Sequence, residues 1–187
     1  GWVVIIAAGM MFYIFSAVLN GGMNIIVENF SAMHELDYNA VLAVTTPAAF
    51  FGILGLVFWT AVVNKIGSRA GGAIALLLGA VCYACYSVVS TQLGFFVVTA
   101  LVNFMACGFS ETAAKVMIAN WFPTRKGLAL GWATMGNNLS SATIVPLLLV
   151  FISWRGVNGS YQIVGIIMAV VAVFFFLCTR STSEELG

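Results

Sequence analysis

The segment SETAAKVMIANWFPTRKG, residues 110 to 127, passes from a long apolar stretch into a short basic loop. Two aromatic residues, Trp121 and Phe122, separate the apolar stretch from the basic pair Arg125 and Lys126. Aromatic residues at the boundary of an apolar run, followed by cationic residues, are typical of the cytoplasmic end of a transmembrane helix. The segment therefore predicts a helix that leaves a lipid bilayer near Trp121.

The composition of the chain supports this interpretation. Of the 187 residues, 62% are hydrophobic and 7% are charged, and the mean hydropathy is +1.08. Soluble domains contain about 45–50% apolar and about 25% charged residues, and they rarely expose apolar patches above a few hundred Å². Because water could not solvate this much apolar surface, we predict an integral membrane protein. We expect it in the plasma membrane or in a bacterial inner membrane.

Several functional classes find no support in the sequence. The net charge of +1 and the scattered basic residues give no reason to expect a nucleic-acid partner. The four cysteines complete no zinc-binding pattern, and we interpret them as small helix-packing residues. His34 is the single histidine, and no set of nucleophile, base and orienting residue is visible. We expect no cofactor and no enzymatic activity.

Six apolar segments have about the length, roughly 20 residues, that a helix needs to cross the hydrocarbon core of a bilayer. They lack the alternation of period two that barrel strands show. The predicted fold class is therefore all-α, a polytopic bundle of six transmembrane helices. The predicted spans are residues 2–27, 41–63, 71–89, 93–122, 127–152 and 161–178.

The basic residues predict the orientation of these spans. If the odd-numbered helices run outward, one side of the membrane receives five basic residues: Lys65, Arg69, Arg125, Lys126 and Arg180. The opposite loops contain one basic residue, Arg155, together with Glu35 and Asp37. Under the positive-inside rule, both ends of the chain are therefore predicted to be cytoplasmic. Six spans with this orientation fit a unit of two three-helix repeats.

Polar side chains recur at helical spacing in three of the predicted spans. The first span contains four of them, four residues apart: Ser16, Asn20, Asn24 and Glu28. The fifth contains a second group: Thr134, Asn137, Asn138 and Ser141. An amide inside a bilayer either bonds a neighbouring helix, for about 0.6–2 kcal/mol, or faces a solute path. We predict that five of these residues line a substrate pathway, with helix packing as the alternative: Asn20, Asn24, Asn137, Asn138 and Ser141.

Gly127 and Gly131 form a GxxxG pair that predicts a close helix contact.

The fourth span carries a stripe that includes two opposite charges: Asn103, Cys107, Glu111 and Lys115. If Trp121 marks the interface, Lys115 lies about 9 Å and Glu111 about 15 Å deeper, at about 1.5 Å per residue. A lysine can extend to the interface from the shallower depth, whereas a glutamate at the greater depth must face the bundle interior, a watery cavity or a cation. We predict Asn103 and Glu111 as pathway residues, and Glu111 and Lys115 as candidates for proton or charge coupling. A purely structural i,i+4 ion pair is the alternative.

Two loops resemble those of the major facilitator superfamily of transporters. NKIGSR, residues 64–69, is similar to the family's loop between the second and third helices, in which an acidic or amide residue precedes basic residues and a glycine. WFPTRKGLALGWATMG, residues 121–136, resembles the fourth-to-fifth helix junction of the monocarboxylate transporters and oxalate/formate antiporters within that superfamily. GWVV at the start and SWRG at 153–156 are similar to the same group.

The resemblance implies a secondary active transporter that moves a small organic solute, a carboxylate-bearing metabolite, by alternating access. A coupling proton or a counter-solute would be the further partner. The chain would be an N-terminal six-helix half of two inverted repeats, about 1–91 and 92–180, with 181–187 beginning a central cytoplasmic loop. A second half would come from the same longer chain or from a second subunit. Four residues would form a cytoplasmic latch of the outward-facing state, with a solvated loop as the alternative: Asn64, Lys65, Gly67 and Arg69.

The first span departs from the monocarboxylate pattern. The mammalian-type transporters have a lysine in their first helix that meets the substrate carboxylate, whereas residues 19–24 here read LNGGMN. Lys115 lies on another helix and nearer the cytoplasm, so it does not simply replace that lysine. This departure argues against proton-coupled lactate transport by the family's mechanism. A non-transporting membrane module, receptor-like or an assembly subunit, is the alternative function.

Overall fold

A computed structural model describes residues 1–180, and all of their regular structure is helical. They form eight α-helices: α1 (Trp2–Ser16), α2 (Met23–Met33), α3 (Tyr38–Ala43), α4 (Thr45–Ile66), α5 (Ser68–Ala84), α6 (Gln92–Ala106), α7 (Lys115–Trp121) and α8 (Lys126–Cys178). Two π-helical segments, Ala17–Gly21 and Cys107–Ala114, and a 3₁₀ turn, Cys85–Ser87, join some of them. The predicted start of a central loop, 181–187, lies outside the described residues.

Joined in this way, the elements give five helices of residues 1–180 that are long and apolar enough to cross a membrane. They are Trp2–Gly21, Tyr38–Ile66, Ser68–Ser87, Gln92–Trp121 and Lys126–Cys178. The prediction of an all-helical membrane fold is confirmed at this level. The fifth and sixth predicted spans both fall on α8.

α8 is too long to be a single straight span. Its 53 residues would extend about 80 Å at about 1.5 Å per residue, whereas a bilayer core is about 30 Å thick. The backbone leaves helical geometry at Gly156, where φ is 75° and ψ is 178°. Glycine adopts positive φ readily because it has no Cβ. The predicted loop at 153–160 is therefore helical apart from this one residue.

The two ends of α8 lie at the same end of the bundle. Trp121 is the last residue of α7 and lies five residues before the start of α8. Its indole Nε1 donates a hydrogen bond to the Arg180 carbonyl oxygen at 2.8 Å. Since α8 starts near Trp121 and finishes near Arg180, its chain must reverse at Gly156. We name residues 126–155 the first arm and residues 157–178 the second arm.

The first connection is shorter than the predicted loop at 28–39. α2 continues to Met33, and α3 begins at Tyr38. Two polar side chains in this part of α2 bond to the backbone of the helix itself: Asn29 Nδ2 donates to the Ile25 carbonyl at 2.8 Å and Ser31 Oγ to the Glu28 carbonyl at 3.0 Å. Asp37 caps α3 by accepting a hydrogen bond from the Ala40 amide. Polarity alone therefore misplaced the end of this part of the chain. We name α1, the π segment Ala17–Gly21 and α2 together the first helix.

Small residues bring the long helices together. A Cβ on Gly136 would overlap the Gly9 carbonyl of α1, and a Cβ on Gly21 would lie 2.7 Å from Ile144 Cγ2. Both contacts join the first helix to the first arm. Small residues allow such close approach of helices in lipid, where apolar burial gives little driving force for association. The predicted contact at Gly127 and Gly131 is wrong for residues 1–180, because nothing lies within 4 Å of a Cβ at either position.

Glycines also mediate two further helix contacts, that of the second arm with α5 and that of α4 with α6. A Cβ on Gly165 of the second arm would lie 3.1 Å from the Ala80 carbonyl of α5. A Cβ on Gly55 of α4 would overlap the backbone of Phe104 in α6. The outward face of α4 carries exposed large apolar residues, Phe50, Ile53, Leu54, Val57 and Phe58 among them. This face needs lipid or protein against it.

Candidate functional site

Both polar stripes with four-residue spacing pass through a π-helical segment. Ala17–Gly21 interrupts the stripe of the first helix, and Cys107–Ala114 interrupts that of the helix 92–121. In an α-helix four residues exceed one turn of 3.6, so a four-residue repeat drifts around the axis. A π turn has the wider i→i+5 ring, and four residues then fall short of a turn. The π segments therefore oppose the drift, and such segments are frequent at functional sites.

Glu111 lies within one π segment, and Lys115 is the first residue of the α-helix that follows it. The Lys115 ammonium donates a hydrogen bond to the Glu111 carboxylate, so the two charges form an i,i+4 ion pair. Their side chains are 40% and 33% exposed, respectively. Neither charge is sealed inside this bundle, and the pair can meet water, a solute or another protein segment.

Asn103 lies one helical turn before the same π segment and borders a cleft of about 460 Å³. The cleft lies between the first helix, α4 and α6. Asn103 is 9% exposed, and its Nδ2 donates to the Thr99 carbonyl at 2.9 Å. Leu19 and Met23 of the first helix border the cleft on another side. One predicted pathway residue, Asn103, and two residues of the first helix therefore border the same cleft.

Asn20 and Asn24 are exposed and are not among the residues that border this cleft. Their sequence neighbours Leu19 and Met23 border the cleft instead. The amides therefore point to a different part of the surface of the first helix. Their role in a pathway stays a prediction.

The predicted residues of the first arm lie near its contact with α1. The Asn137 carbonyl accepts hydrogen bonds from Ser16 Oγ at 3.3 Å and from Ser141 Oγ at 3.0 Å. The Asn137 side-chain Oδ1 is buried and has no hydrogen-bond partner among residues 1–180. Asn138 and Ser141 are exposed. The hydrogen bond from Ser16 to Asn137 is a contact between helices, as expected if these polar residues serve helix packing. None of these residues borders the Asn103 cleft.

The loop between α4 and α5 is a tight turn at Gly67, where φ is 88°. Asn64 and Lys65 are exposed in the last turn of α4. Arg69 reaches the end of the second arm: its Nε donates to the Phe176 carbonyl at 2.6 Å, and its guanidinium carbon lies 4.3 Å from the centre of the Phe176 ring. A cation at the carboxyl end of a helix also complements the helix dipole. The loop is therefore tied to the bundle through Arg69.

Comparison with known families decides the class of this chain. A family model described as Major Facilitator Superfamily matches residues 2–187. The chain belongs to the major facilitator superfamily. Members of this superfamily are membrane transporters rather than enzymes, so the prediction of a membrane transporter is confirmed at that level. No curated protein matches the chain, and the resemblance to the monocarboxylate and oxalate/formate group stays a prediction.

The Asn103 cleft is bordered by two polar residues that the sequence analysis did not select. Thr45 and Thr46 border the Asn103 cleft from the start of α4. The available signal was the sequence TTP at residues 45–47, which places two hydroxyl side chains side by side at the start of α4. Their meeting with Asn103 depends on how α4 packs on α6, which local sequence does not encode.

Proposed function

We propose that this chain is the N-terminal six-helix half of a secondary active transporter that moves a small organic solute by alternating access. Division of α8 at Gly156 turns the five membrane-length helices into six spans. Residues 1–91 and 92–180 then form the two inverted repeats of a transporter half. The presence of a π segment in the first helix of each proposed repeat supports this division.

The observation that carries the proposal is the Glu111–Lys115 pair. It lies within Gln92–Trp121, a helix of membrane length, and both side chains are only partly covered by the bundle. Ionisable groups within a membrane are costly unless they face water, an ion or protein, and they commonly mark transport pathways. A solute path along the Glu111 face, with the carboxylate exchanging a proton or a cation during transport, accounts for both charges.

We further propose that the solute carries a carboxylate. Because LNGGMN leaves the first helix without a cation, Lys115 or a residue of the second half must neutralise that charge. Opening of the Glu111–Lys115 pair would free the Lys115 ammonium for the solute. In symport, Glu111 would then accept a proton; in antiport, the site would exchange one solute for another.

The cytoplasmic loop has a separate proposed role. Asn64, Lys65, Gly67 and Arg69 would steady the outward-facing state from the cytoplasmic side. The turn at Gly67 and the Arg69 contact with Phe176 support this role, because they hold Arg69 against the end of the second arm. Both ends of residues 1–187 would then be cytoplasmic, in a plasma membrane or a bacterial inner membrane.

Uptake by the complete protein in proteoliposomes tests the proposal. A panel of radiolabelled short carboxylates is compared at two pH values for the wild type, for Glu111→Gln and for Glu35→Gln, a control in the exposed turn before α3. We expect carboxylate uptake that loses most of its rate or its pH dependence only in Glu111→Gln. Unchanged uptake in that variant would remove Glu111 from the mechanism, and absence of uptake by the wild type would favour a non-transporting module.

A further inference from the structure

The cleft beside Asn103 contains polar groups but no charge. Five of the bordering residues are apolar: Leu19, Met23, Ala49, Phe50 and Ile53. The other three are neutral and polar: Thr45, Thr46 and Asn103. Among residues 1–180, no charged side chain borders the cleft. Its chemistry therefore differs from that of the Glu111–Lys115 pair. We name it the threonine cleft.

Asn103 offers the threonine cleft a hydrogen-bond acceptor. More than nine-tenths of the residue is buried, and its Nδ2 is already bonded to the Thr99 carbonyl. Its Oδ1 has no hydrogen-bond partner among residues 1–180. Unlike Asn137 Oδ1, this oxygen is not sealed from solvent, so a molecule in the cleft can reach it. A donor from a bound molecule would complete the hydrogen bonding of this side chain.

The two threonines add further hydrogen-bonding groups to the threonine cleft. Thr45 Oγ1 donates to the Leu42 carbonyl at 2.6 Å, which uses its proton and leaves its oxygen as an acceptor. Thr46 is exposed and has no hydrogen bond within residues 1–180, so its hydroxyl can donate and accept. A carboxylate can only accept hydrogen bonds, whereas a hydroxyl can also donate them. The cleft therefore matches a hydroxyl group better than a carboxylate.

We infer that the threonine cleft is a recognition subsite for a hydroxyl group carried on a hydrocarbon body. Asn103 and Thr45 accept from the hydroxyl, Thr46 completes the contact, and Leu19, Met23, Phe50 and Ile53 cover the hydrocarbon. Lys115 does not border the cleft. A small solute in the cleft therefore binds without help from Lys115. The subsite rests on the proposed transport function and adds a preference for hydroxylated solutes.

Protection of an introduced cysteine tests the inference on the complete protein in nanodiscs. Ile53→Cys is made in a variant whose native cysteines are alanine, and its reaction with a hydrophilic maleimide is followed. The probes are 1,2-hexanediol and hexanoate, which share a six-carbon body. We expect the diol to slow the reaction at concentrations at which hexanoate has no effect.

Isosteric variants identify the residues. Thr46→Val should raise the diol concentration for half protection about two- to tenfold, the loss expected for one hydrogen bond, and Thr46→Ser should restore it. Asn103→Leu should act in the same direction. The matched control is Thr60→Val, since Thr60 is exposed on α4, bonds only its own helix through the Leu56 carbonyl, and does not border the cleft.

The outcomes separate this inference from the proposed function. Equal protection by hexanoate, no protection by the diol, or an unchanged diol response in Thr46→Val would each overturn the subsite. Thr46 is exposed, so its substitution does not depend on refolding of the core. Because labelling requires no transport, protection without uptake would retain the subsite and reject the transporter, whereas uptake without protection would do the reverse.

Discussion

Lys115 donates a hydrogen bond to the carboxylate of Glu111 at the point where a π-helical segment passes into α7. The Lys115 and Glu111 side chains are 40% and 33% exposed, and both lie in a helix of membrane length. Removal of one partner leaves an isolated charge within the membrane, whereas removal of both leaves none.

The first prediction concerns this coupling. Glu111→Gln and Lys115→Gln should each lower the free energy of unfolding by about 1–2 kcal/mol, between the values for exposed and buried pairs. The double variant should be destabilised less than the sum of the two. Thermal unfolding of all four proteins in one detergent measures the cycle. Additive losses would mean that the two side chains do not stabilise each other.

The second prediction concerns the contact between α1 and the first arm. Gly136→Ala should destabilise the protein by about 1–3 kcal/mol, the usual cost of overpacking, because its Cβ would overlap the Gly9 carbonyl. Gly131→Ala, five residues earlier on the same helix, is the matched control, since open space surrounds that position. Unfolding temperature and the yield of monodisperse protein are the measurements. Equal behaviour of the two variants would contradict the close approach.

Some of these structural features are predictable from the sequence and others are not. The apolar spans are predictable because lipid selects for hydropathy residue by residue, and the Glu111–Lys115 pair follows from its i,i+4 spacing. The contact at Gly136 is not predictable from the sequence. The GxxxG pair of Gly127 and Gly131 is the stronger local pattern for a helix contact, yet both of these glycines face open space. Which glycine meets a neighbour depends on the rotation of the helix, and this rotation is set by tertiary packing.

The candidate site shows the same limit. Asn103 is predictable from its place on the stripe with Glu111 and Lys115, but Thr45 and Thr46 belong to another helix and reach the cleft only through the packing of α4 on α6. The π segments had a usable signal. A polar repeat that holds strictly to four residues, as in 16, 20, 24 and 28, fits a helix that is locally wider than an α-helix.

The third prediction concerns the reversal of α8. Gly156 has φ 75° and ψ 178°, a region that is essentially restricted to glycine. Gly156→Ala should therefore cost about 1–3 kcal/mol of stability from backbone strain alone, because nothing lies within 4 Å of its Cβ. Gly127→Ala has the same open surroundings without positive φ, and it serves as the control. If both variants unfold at the wild-type temperature, the chain does not need this conformation.

The fourth prediction concerns the Arg69 contact. Arg69→Lys keeps the charge but loses the planar guanidinium that both donates to the Phe176 carbonyl and covers its ring. We expect a loss of about 1–2 kcal/mol, from a charge-assisted hydrogen bond and a partly exposed cation–π contact. Lys65→Gln is the control, because Lys65 is exposed in the same loop region. Unfolding by denaturant measures the difference, and equal stability of Arg69→Lys and wild type would contradict it.

The fifth prediction tests orientation through Cys178, the last residue of α8. Cys178 is exposed, and it lies two residues before Arg180, whose carbonyl bonds Trp121. Under the positive-inside rule this end is cytoplasmic. In a variant that retains only Cys178, a membrane-impermeant maleimide should react in inside-out vesicles and not in right-side-out vesicles. A cysteine-free chain carrying Val88→Cys should show the opposite pattern, because Val88 is 81% exposed in the turn before α6, at the other end of the bundle. Labelling of both positions from one side would refute the predicted topology.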